Sequence, residues 1–413
     1  MHIIHLAKYH SPLHGGMETH VETLARKQAE LGAKVDILCV NAFNKNYQVS
    51  QHTKTEITFT DLIQVTKVSR WFSFLKLDFC PSLIFYIRYF SKFPNSIFHV
   101  HTPNPTMLIA LAMIGRTRNL VITHHSDAIR QRLLKYLFRP IEHLIYRQAA
   151  IVLTTSPNYQ AGSRFLRLYR DRLDVLPLGI DVASFSNPSV NTIEGAQQLE
   201  TEYGDVLWLF VGRLVYYKAL HIALKALQYV SGKLLVIGTG KLAAKLRKTA
   251  CELKVEDRVI WWKNASDADL KSAYQAATAL WFPSNIRSEA FGMVQVEAMA
   301  SGCPTINCNI PGSGVTWVCR HEQEGLTVER NNPLEFAAAA RRLLEEPGLR
   351  ERLSEGAKFR SWEFTDTVMA QRSLEIYSRV LANEKSQYQL IGGLRPSATE
   401  MILPSRSKIA DKL

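Results

Sequence analysis

The sequence predicts an α/β protein made of two doubly wound parallel sheets. Apolar runs of strand length occur in two successive series, and most are continuous rather than alternating, as in parallel strands covered on both faces. Helical stretches separate these runs. The chain has 413 residues, more than one hydrophobic core usually serves, so two domains are expected. A mean hydropathy of -0.08 and 21% charged residues exclude a disordered chain and a polytopic membrane protein.

The predicted strands and helices fall into two series along the chain, one for each expected domain. Strands are predicted at 3–6, 35–40, 97–100, 120–123, 150–153 and 173–176, and then at 207–211, 233–237, 258–262, 279–283 and 304–307. Helices are predicted at 17–31, 129–148, 219–229, 241–253, 292–301, 333–346 and 367–383. A polar stretch without periodicity follows PLGID (177–181), so the domain break is placed near 183–204. The expected parts are a first domain (1–183), a second domain (184–366), a helix that packs back toward the first domain (367–384) and a polar tail (385–413).

The first half of the chain is strongly basic. Residues 1–190 carry 22 Lys and Arg against 12 Asp and Glu, and the whole chain has a net charge of +13. The excess indicates either an anionic partner or a solvated face that binds nothing. The segments 71–93 and 131–148 mix aromatic and basic residues, which is typical of core helices and equally of elements docked in lipid headgroups. Six cysteines without CxxC or zinc spacing fit a reducing compartment, and no secretory signal pattern opens the chain.

Two glycines follow the first predicted strand. Gly15 and Gly16 have no Cβ, so a phosphate or a sugar ring can approach the backbone there, at the edge of the sheet where ligands bind. A pair of glycines is weak evidence by itself, because most such pairs only form turns, and the GxGxxG fingerprint is absent.

Two cations follow the strand at 207–211. Arg213 and Lys218 lie in GRLVYYK, at the carboxyl edge of the second sheet, where a diphosphate would lie. The alternative is that both are solvated surface cations without a function.

The segment SEAFGMVQVEAMASGCP follows the strand at 279–283 and opens a helix near Phe291 and Gly292. The backbone N–H groups of Gly292, Met293 and Val294 would point at an anion, and Gly292 permits the tight turn. The same segment carries two glutamates with seven residues between them. Such spacing occurs by chance, but its place after a buried strand makes the signal strong.

The two glutamates suit different hydroxyl groups. Glu289, in the loop before the helix, is free to face a sugar hydroxyl. Glu297 lies about 7 Å along the helix axis from the helix start at Gly292, where it can accept hydrogen bonds from ribose hydroxyls.

These motifs occur together with three others: HGG at 14–16, THHSD at 123–127 and PLGID at 177–181. In this combination, over about residues 1–380, the sequence resembles the retaining glycosyltransferase family 4. The resemblance implies the GT-B fold, in which two Rossmann-like domains face each other across a cleft. SPNY (156–159), GRLVYYK and SEAFGMV resemble most closely the bacterial mannosyltransferases that build lipid-linked O-antigen or exopolysaccharide units.

The resemblance implies a role for each donor-side residue. Arg213 and Lys218 match the clamp on the donor diphosphate, and Glu289 matches the contact to the donor sugar. Phe291 to Val294 match the backbone amides that bind sugar and phosphate, and Glu297 matches the ribose-binding glutamate.

In the first domain, Gly16, next to Gly15, matches the glycine that approaches the diphosphate. His125, rather than His124, matches the active-site histidine near the 6-position of the sugar, and Asp127 is expected on the acceptor side. The expected catalytic residues are therefore His125, Glu289, Arg213 and Lys218.

The implied reaction is a retaining hexosyl transfer without a metal or other cofactor. The resemblance favours GDP-mannose as the donor, with UDP-glucose or another hexosyl donor as the alternative. The implied acceptor is a hydroxyl of a saccharide on undecaprenyl diphosphate. We therefore expect a cytoplasmic protein that is peripheral at the inner face of the cytoplasmic membrane. Its expected partners include the anionic membrane surface, and nucleic acid is not expected among them. The residues do not separate front-face attack from a double displacement.

Two positions depart from the family pattern. Ala219 stands where glycine usually follows the lysine of GRLVYYK, which is mild if that residue is helical. Lys263, in WWKN, stands where glycine is usual near the nucleotide base, and it puts the identity of the base in doubt. The DxD at 267–269 follows Ser266 and is interpreted as a helix N-cap rather than a metal site.

Three other classes remain as alternatives. A nucleotide-sugar epimerase would share the architecture, and a non-enzymatic module that binds an anionic ligand, nucleic acid included, would explain the charge. A dehydrogenase is disfavoured because IGTGKL (237–242) is only a fragment of its fingerprint.

Overall fold

The computed structural model describes residues 1–10, 15–42, 50, 53–60, 62–74, 77–127 and 132–391, apart from the side chains of 132–137 and 384–391. Within this part of the chain, two large parallel sheets are each flanked by helices. We call residues 1–175 the first lobe and residues 182–361 the second lobe.

The first lobe contains ten strands and five helices among its described residues: β1 (His2–Leu6), α1 (Gly16–Glu30), β2 (Lys34–Val40), β3 (Glu56–Phe59), β4 (Ile63–Val68), β5 (Phe72–Phe74), β6 (Leu77–Phe79), α2 (Ser82–Phe90), β7 (Ser96–Thr102), α3 (Pro105–Ile114), β8 (Leu120–His124), α4 (Arg132–Gln148), β9 (Ile151–Thr154), α5 (Pro157–Gly162) and β10 (Leu173–Val175). Eight of the strands form one sheet in the order β10-β9-β8-β7-β1-β2-β4-β3, which is parallel except for β3. Strands β5 and β6 pair with each other as an antiparallel hairpin.

The second lobe and the helix after it contain α6 (Val182–Ser186), α7 (Val190–Tyr203), β11 (Leu207–Val211), α8 (Leu220–Ala226), β12 (Lys233–Ile237), α9 (Ala243–Glu252), β13 (Val259–Trp262), α10 (Asp267–Ala276), β14 (Ala279–Phe282), α11 (Met293–Ala300), β15 (Thr305–Asn309), α12 (Val315–Val318), β16 (Gly325–Glu329), α13 (Pro333–Glu345), α14 (Leu349–Ser361) and α15 (Asp366–Ile391). Its sheet is parallel throughout, in the order β13-β12-β11-β14-β15-β16. The carboxyl ends of β11 and β14 are therefore neighbours, which brings the loops after them together.

All the strands predicted from apolar runs are present, and the α/β prediction is confirmed. Four strands in 56–79 and β16 lack a continuous apolar run and were missed. Strand β3 lies at the sheet edge with mostly exposed side chains, so no burial shapes its sequence. Strands β5 and β6 show that 72–74 and 77–79, in the first part of the segment 71–93, are not helical.

The stretch expected to be irregular at the domain break contains α7. This helix buries only Thr192, Ala196 and Leu199, while Ser189 caps its N-terminus. A buried stripe this narrow and partly polar leaves almost no periodic signal in the sequence. The predicted helix N-cap at the DxD is confirmed, because Ser266 and Asp269 form a capping box at the start of α10.

The last helix, α15, packs against α1 of the first lobe. Met369, Ala370 and Tyr377 share one buried cluster with Val21 and Leu24. The helix continues past its predicted end at 384, and the remainder of the predicted polar tail, 392–413, lies outside the described residues.

The two lobes touch through backbone. A Cβ added at Gly162, the last residue of α5, would lie 2.5 Å from the Cα of Gly312 in the second lobe. A Cβ added at Gly314 would lie 2.5 Å from Oγ of Ser156 in the first lobe. Glycine therefore lets the lobes approach more closely than any side chain would allow.

Candidate active site

A buried cation lies at the carboxyl end of β11. Lys218 is 8% exposed, and its Nζ lies 2.6 Å from Oε2 of Glu289 and 4.7 Å from the ring centre of Phe282. Gly212 has a φ of 144°, and a Cβ there would come within 3.4 Å of Cε of Lys218. The adjacent ends of β11 and β14 thus bring together two residues that stand 71 positions apart in the sequence.

Glu289 is held in place by its loop. Ser284 Oγ donates a hydrogen bond to Oε2 of Glu289 at 3.0 Å, and Ser313 Oγ donates to its backbone carbonyl. The charge of Glu289 is compensated by Lys218, as a carboxylate that is 8% exposed requires.

Gly292 turns the chain into helix α11. It has a φ of 83° and precedes the first helical residue, Met293. A Cβ at Gly292 would lie 2.9 Å from the Phe282 ring and 2.9 Å from Nε2 of Gln295, so both the backbone angle and the space require glycine. The first backbone N–H groups of a helix have no partner within it, and those of Met293 and Val294 are therefore available to an anion. Phe291, by contrast, is 2% exposed, so only its backbone can contact a ligand.

Glu297 lies one turn into α11. Tyr274 donates a hydrogen bond from its hydroxyl to Oε2 at 2.8 Å. Burial raises the pKa of Glu297, and the Tyr274 hydrogen bond and the charge of Lys218 act against that shift. Glu297 as a whole residue is half-buried.

Arg213 is the exposed cation of this site. Its Nη2 donates to the Tyr217 hydroxyl at 3.1 Å, within the same loop as Lys218. Its charge therefore faces solvent, while the charge of Lys218 is already paired with Glu289.

Ala219, the residue after Lys218, is not helical, so the condition under which alanine would be mild there is not met. It has φ 48° and ψ 35° and precedes α8 in the left-handed region. A Cβ in that region costs roughly 1 kcal/mol or more, which explains why glycine would suit this position better.

We predict that Ala219→Gly raises the free energy of unfolding by about 1 kcal/mol, because it removes this backbone strain. Urea denaturation of the two proteins measures the difference. Ala226→Gly, at the end of α8 with ordinary helical angles, should instead lower the stability. A destabilised Ala219→Gly protein would contradict the strain argument.

The first-lobe glycines lie at the start of α1. Gly15 is its extended N-cap residue, and a Cβ there would meet Oε2 of Glu18 at 2.5 Å. A Cβ at Gly16 would meet nothing within 4 Å. Nothing within the described residues therefore requires glycine at 16, and the space beside it is free for a ligand.

The two adjacent histidines of THHSD have different surroundings. His124 is buried and bonded to the Tyr146 hydroxyl at 2.6 Å and to Oδ1 of Asp127 at 3.1 Å. His125 is half-buried, and its Nε2 lies 3.1 Å from Nδ1 of His101. Burial lowers the pKa of His125 to about 3, so its ring is neutral at physiological pH. His124 therefore supports the loop, and His125 is the one that a ligand can reach.

A residue that the sequence did not single out connects the two lobes. Arg287 Nη1 lies 2.7 Å from Oδ2 of Asp127, and its Nη2 donates to the carbonyl of Tyr159 at 3.2 Å. Its Nε donates to the carbonyl of Gly312 in its own lobe at 2.8 Å. Asp127, expected on the acceptor side, is thus half-buried in an ion pair. No local pattern signals this pair, because its partners are 160 residues apart.

Some histidines of the first lobe could hold a metal ion by distance. Ligand atoms of His5, His99 and His101, and of His20, His101 and His125, lie within 4.8 Å of one another. Most of these nitrogens already pair with each other or with neighbouring groups. Both ring nitrogens of His20 are buried and have no hydrogen-bond partner among the described residues.

Lys263 lines a cavity of about 440 Å³ beyond the end of β13. The other lining residues are Trp261, Trp262, Asn264 and Asp269. This edge of the sheet also carries Arg213 and Lys218, so the cavity lies on the ligand-binding side of the second lobe.

Known proteins share both halves of this architecture. The pattern described as "Glycosyltransferase Family 4" matches residues 14–184, and that described as "Glycosyl transferases group 1" matches residues 193–360. The D-rhamnosyltransferase WbpZ of Pseudomonas aeruginosa is 34% identical over 264 residues, which cover 64% of this chain and 68% of that protein. The chain belongs to the group 1 glycosyltransferases.

Two further proteins are similar to this glycosyltransferase over nearly its whole length. The O-antigen chain mannosyltransferase C of Escherichia coli is 25% identical, over 93% of this chain and 100% of that protein. The sucrose-phosphate synthase of Thermosynechococcus elongatus has a TM-score of 0.75 at 19% identity, over 93% of this chain and 100% of that chain. The predicted GT-B fold of the glycosyltransferase is confirmed.

Proposed function

We propose that this glycosyltransferase moves mannose, with retention, from GDP-mannose to a hydroxyl of a lipid-linked saccharide in bacterial surface polysaccharide synthesis. The observation that carries the proposal is the contact between Lys218 and Glu289 at 2.6 Å, beside the helix start at Gly292. This arrangement would offer cations and backbone N–H groups to a diphosphate and a carboxylate to a sugar. The name of the similar O-antigen mannosyltransferase supports mannose and the O-antigen context.

The chemistry requires stabilisation of a leaving diphosphate. As the bond between the anomeric carbon and the diphosphate breaks, negative charge grows on the phosphate oxygens and the sugar becomes cationic. Arg213, Lys218 and the N–H groups at the start of α11 would stabilise that growing negative charge. Glu289 would accept hydrogen bonds from the sugar hydroxyls, and Glu297 from the ribose. No metal is required for this division of roles, and transfer should persist in EDTA.

The cavity at Lys263 supports a guanine base. Guanine presents acceptors at O6 and N7 and donors at N1 and N2. Lys263 supplies a donor and Asp269 a carboxylate at the same cavity. Uracil offers a smaller set of matching groups, so the pair favours GDP over UDP.

A panel of GDP-, UDP- and ADP-sugars tests the proposed reaction. Of these donors, GDP-mannose should raise the melting temperature of the purified protein most. It should also be hydrolysed at the highest rate when no acceptor is present. The anomeric configuration of the product, read by NMR, tests retention. Epimerised sugar in place of a glycoside would favour the epimerase alternative, and equal responses to all nucleotides would contradict the choice of GDP.

We predict that Lys263→Gln raises the Kd for GDP about tenfold and changes the Kd for UDP much less, because it removes the donor to guanine. Isothermal titration calorimetry measures both constants. Lys225→Gln, an exposed lysine on α8, is the control. An equal loss for GDP and UDP would show that Lys263 acts on the phosphates instead.

The first lobe carries an exposed aromatic surface that we propose contacts lipid. We call residues 71–74 and 77–79 the aromatic hairpin. Its exposed rings, with that of the neighbouring helix α2, are Trp71 (56%), Phe72 (49%), Phe74 (69%), Phe79 (46%) and Phe85 (55%). Exposed Arg88 and Lys92 lie on and just after α2. Aromatic rings beside cations suit an anionic headgroup region.

The other basic segment gives less support for lipid contact. Ile145 and Tyr146, in the described part of α4, belong to the core. Position 131 and the side chains of 132–137 lie outside the described residues. No described helix is both long and apolar enough to cross a membrane.

We predict that Trp71→Ser combined with Phe74→Ser lowers binding to vesicles of anionic phospholipid at least about tenfold, because two apolar rings leave the interface. Vesicle sedimentation at low salt measures the bound fraction. Phe359→Ser, which alters an 81% exposed ring on α14, should leave binding unchanged. Wild-type protein that fails to bind the vesicles would refute the proposed contact.

A further inference from the structure

A chain of buried hydrogen bonds runs from the C-terminal helix to His125. Gln28 of α1 lies 2.8 Å, through Oε1, from Nε2 of His5. His5 Nδ1 lies 3.0 Å from Nε2 of His101, and His101 Nδ1 lies 3.1 Å from Nε2 of His125. Gln28, His5 and His101 are all 0% exposed, and His125 is half-buried. This series of hydrogen bonds therefore ends at His125, the ring that a ligand can reach.

The donor-to-acceptor direction of these hydrogen bonds is determined at the end that lies in α15. Ser373 of α15 has a single hydroxyl proton, which it donates to the carbonyl of Ala370 at 2.6 Å. Ser373 Oγ must then accept from Gln28, at 2.7 Å, so the atom of Gln28 that faces it is the amide nitrogen. The carbonyl oxygen of Gln28 consequently faces His5. Tyr377 agrees with this orientation, because it accepts from the same amide nitrogen at 3.3 Å and lies 2.6 Å from Nδ1 of His99.

Each histidine then has only one possible tautomer. A carbonyl oxygen can only accept, so His5 carries its proton on Nε2, and its Nδ1 accepts from Nε2 of His101. The lone pair on Nδ1 of His101 in turn accepts from Nε2 of His125. A neutral imidazole carries one proton, which leaves a lone pair on Nδ1 of His125. Burial keeps the rings neutral, because it lowers the pKa of His5 to about 4 and that of His101 well below its usual value.

We infer that Ser373 and Gln28 hold His125 in the tautomer whose Nδ1 accepts a hydrogen bond, so that a hydroxyl of the donor sugar donates to this nitrogen. The sugar contact rests on the proposed function, whereas the tautomer does not. Ser373, Gln28, His5 and His101 are positioning residues in this scheme. The C-terminal helix thereby determines the hydrogen-bonding character of a residue at the active site, through α1, β1 and β7 of the first lobe.

The tautomer can be measured without any substrate. Full-length protein labelled with ¹⁵N-histidine should show the His125 ring protonated at Nε2 and unprotonated at Nδ1, with the resonances assigned by their loss in His125→Gln. A proton on Nδ1 of His125 in the wild-type protein would overturn the inference, whatever the protein transfers.

A variant of the far end tests the coupling. Ser373→Ala combined with Tyr377→Phe removes both acceptors that orient the amide of Gln28, so His125 should become a mixture of tautomers. Transfer should fall about tenfold, the effect of losing one hydrogen bond in the reaction. Ser378→Ala, on the same helix but exposed and bonded only within it, should change neither. An unchanged tautomer in this double variant would refute the control by α15, and a changed tautomer with an unchanged rate would refute the sugar contact.

Discussion

Replacing Arg213 by methionine is expected to lower kcat by about 10²- to 10³-fold, with little change in melting temperature. The guanidinium is exposed and bonded to the Tyr217 hydroxyl, so the fold does not depend on it. Its charge would act on the leaving diphosphate, where one preorganised donor contributes about 3–4 kcal/mol. Because this charge is larger in the transition state than in the bound donor, the loss should appear in kcat more than in KM.

Steady-state kinetics with GDP-mannose and a soluble acceptor, together with thermal denaturation, measure both effects. Tyr217→Phe keeps the cation and removes only its hydrogen bond, so it should cost much less. Lys248→Met removes a cation that is 78% exposed on α9 and should cost nothing. An Arg213→Met enzyme with near wild-type kcat would show that this cation does not face the reacting phosphate.

Replacing Arg287 by methionine is expected to lower kcat/KM by about 10²-fold. Arg287 joins Asp127 and Tyr159 of the first lobe to Gly312 of the second, and its loop carries Glu289 two residues later. Without it the lobes lose a half-buried ion pair whose members stand two residues from His125 and from Glu289 in the sequence. A displacement of about 1 Å between reacting groups is enough for a loss of this size.

The comparison with Arg287→Lys makes this test specific. Lysine keeps the charge but lacks the planar guanidinium that bonds Asp127, Tyr159 and Gly312 at once. The kcat/KM of Arg287→Lys should therefore be little higher than that of Arg287→Met. Asp127→Asn should cause a similar loss. Arg372→Met, which removes an exposed contact of α15 to Val175 and Asp174, is the control. Full activity in Arg287→Met would show that the lobes are aligned by their backbone contacts alone.

An element could be predicted from the sequence only where its burial leaves a recognisable pattern of apolar residues. Strands covered on both faces must be apolar throughout, and each of them could be recognised. The edge strand β3 and the helix α7 bury few apolar side chains, so their sequences carry little sign of their structure. The predicted helix at 219–229 wrongly included Ala219 for a related reason, since the left-handed angle comes from the turn before α8 and alanine itself gives no indication of it.

The donor-side residues could be named because each belongs to a short contiguous motif. GRLVYYK and SEAFGMVQVE place Arg213, Lys218, Glu289 and Glu297 relative to strand ends that are themselves recognisable. Their roles remain predictions, and the structure adds that Lys218 and Glu289 are in contact.

By itself, the sequence determined the two parallel sheets, the order of their elements and the chemical types gathered at the second sheet's edge, because these depend on local periodicity and short motifs. Only the tertiary structure decided which side chains meet across long separations. The ion pair of Asp127 with Arg287 and the path from Ser373 to His125 each join elements that are distant in the chain. Such contacts depend on how the lobes and the last helix pack, and packing of this kind leaves no periodic trace in the residues that it brings together.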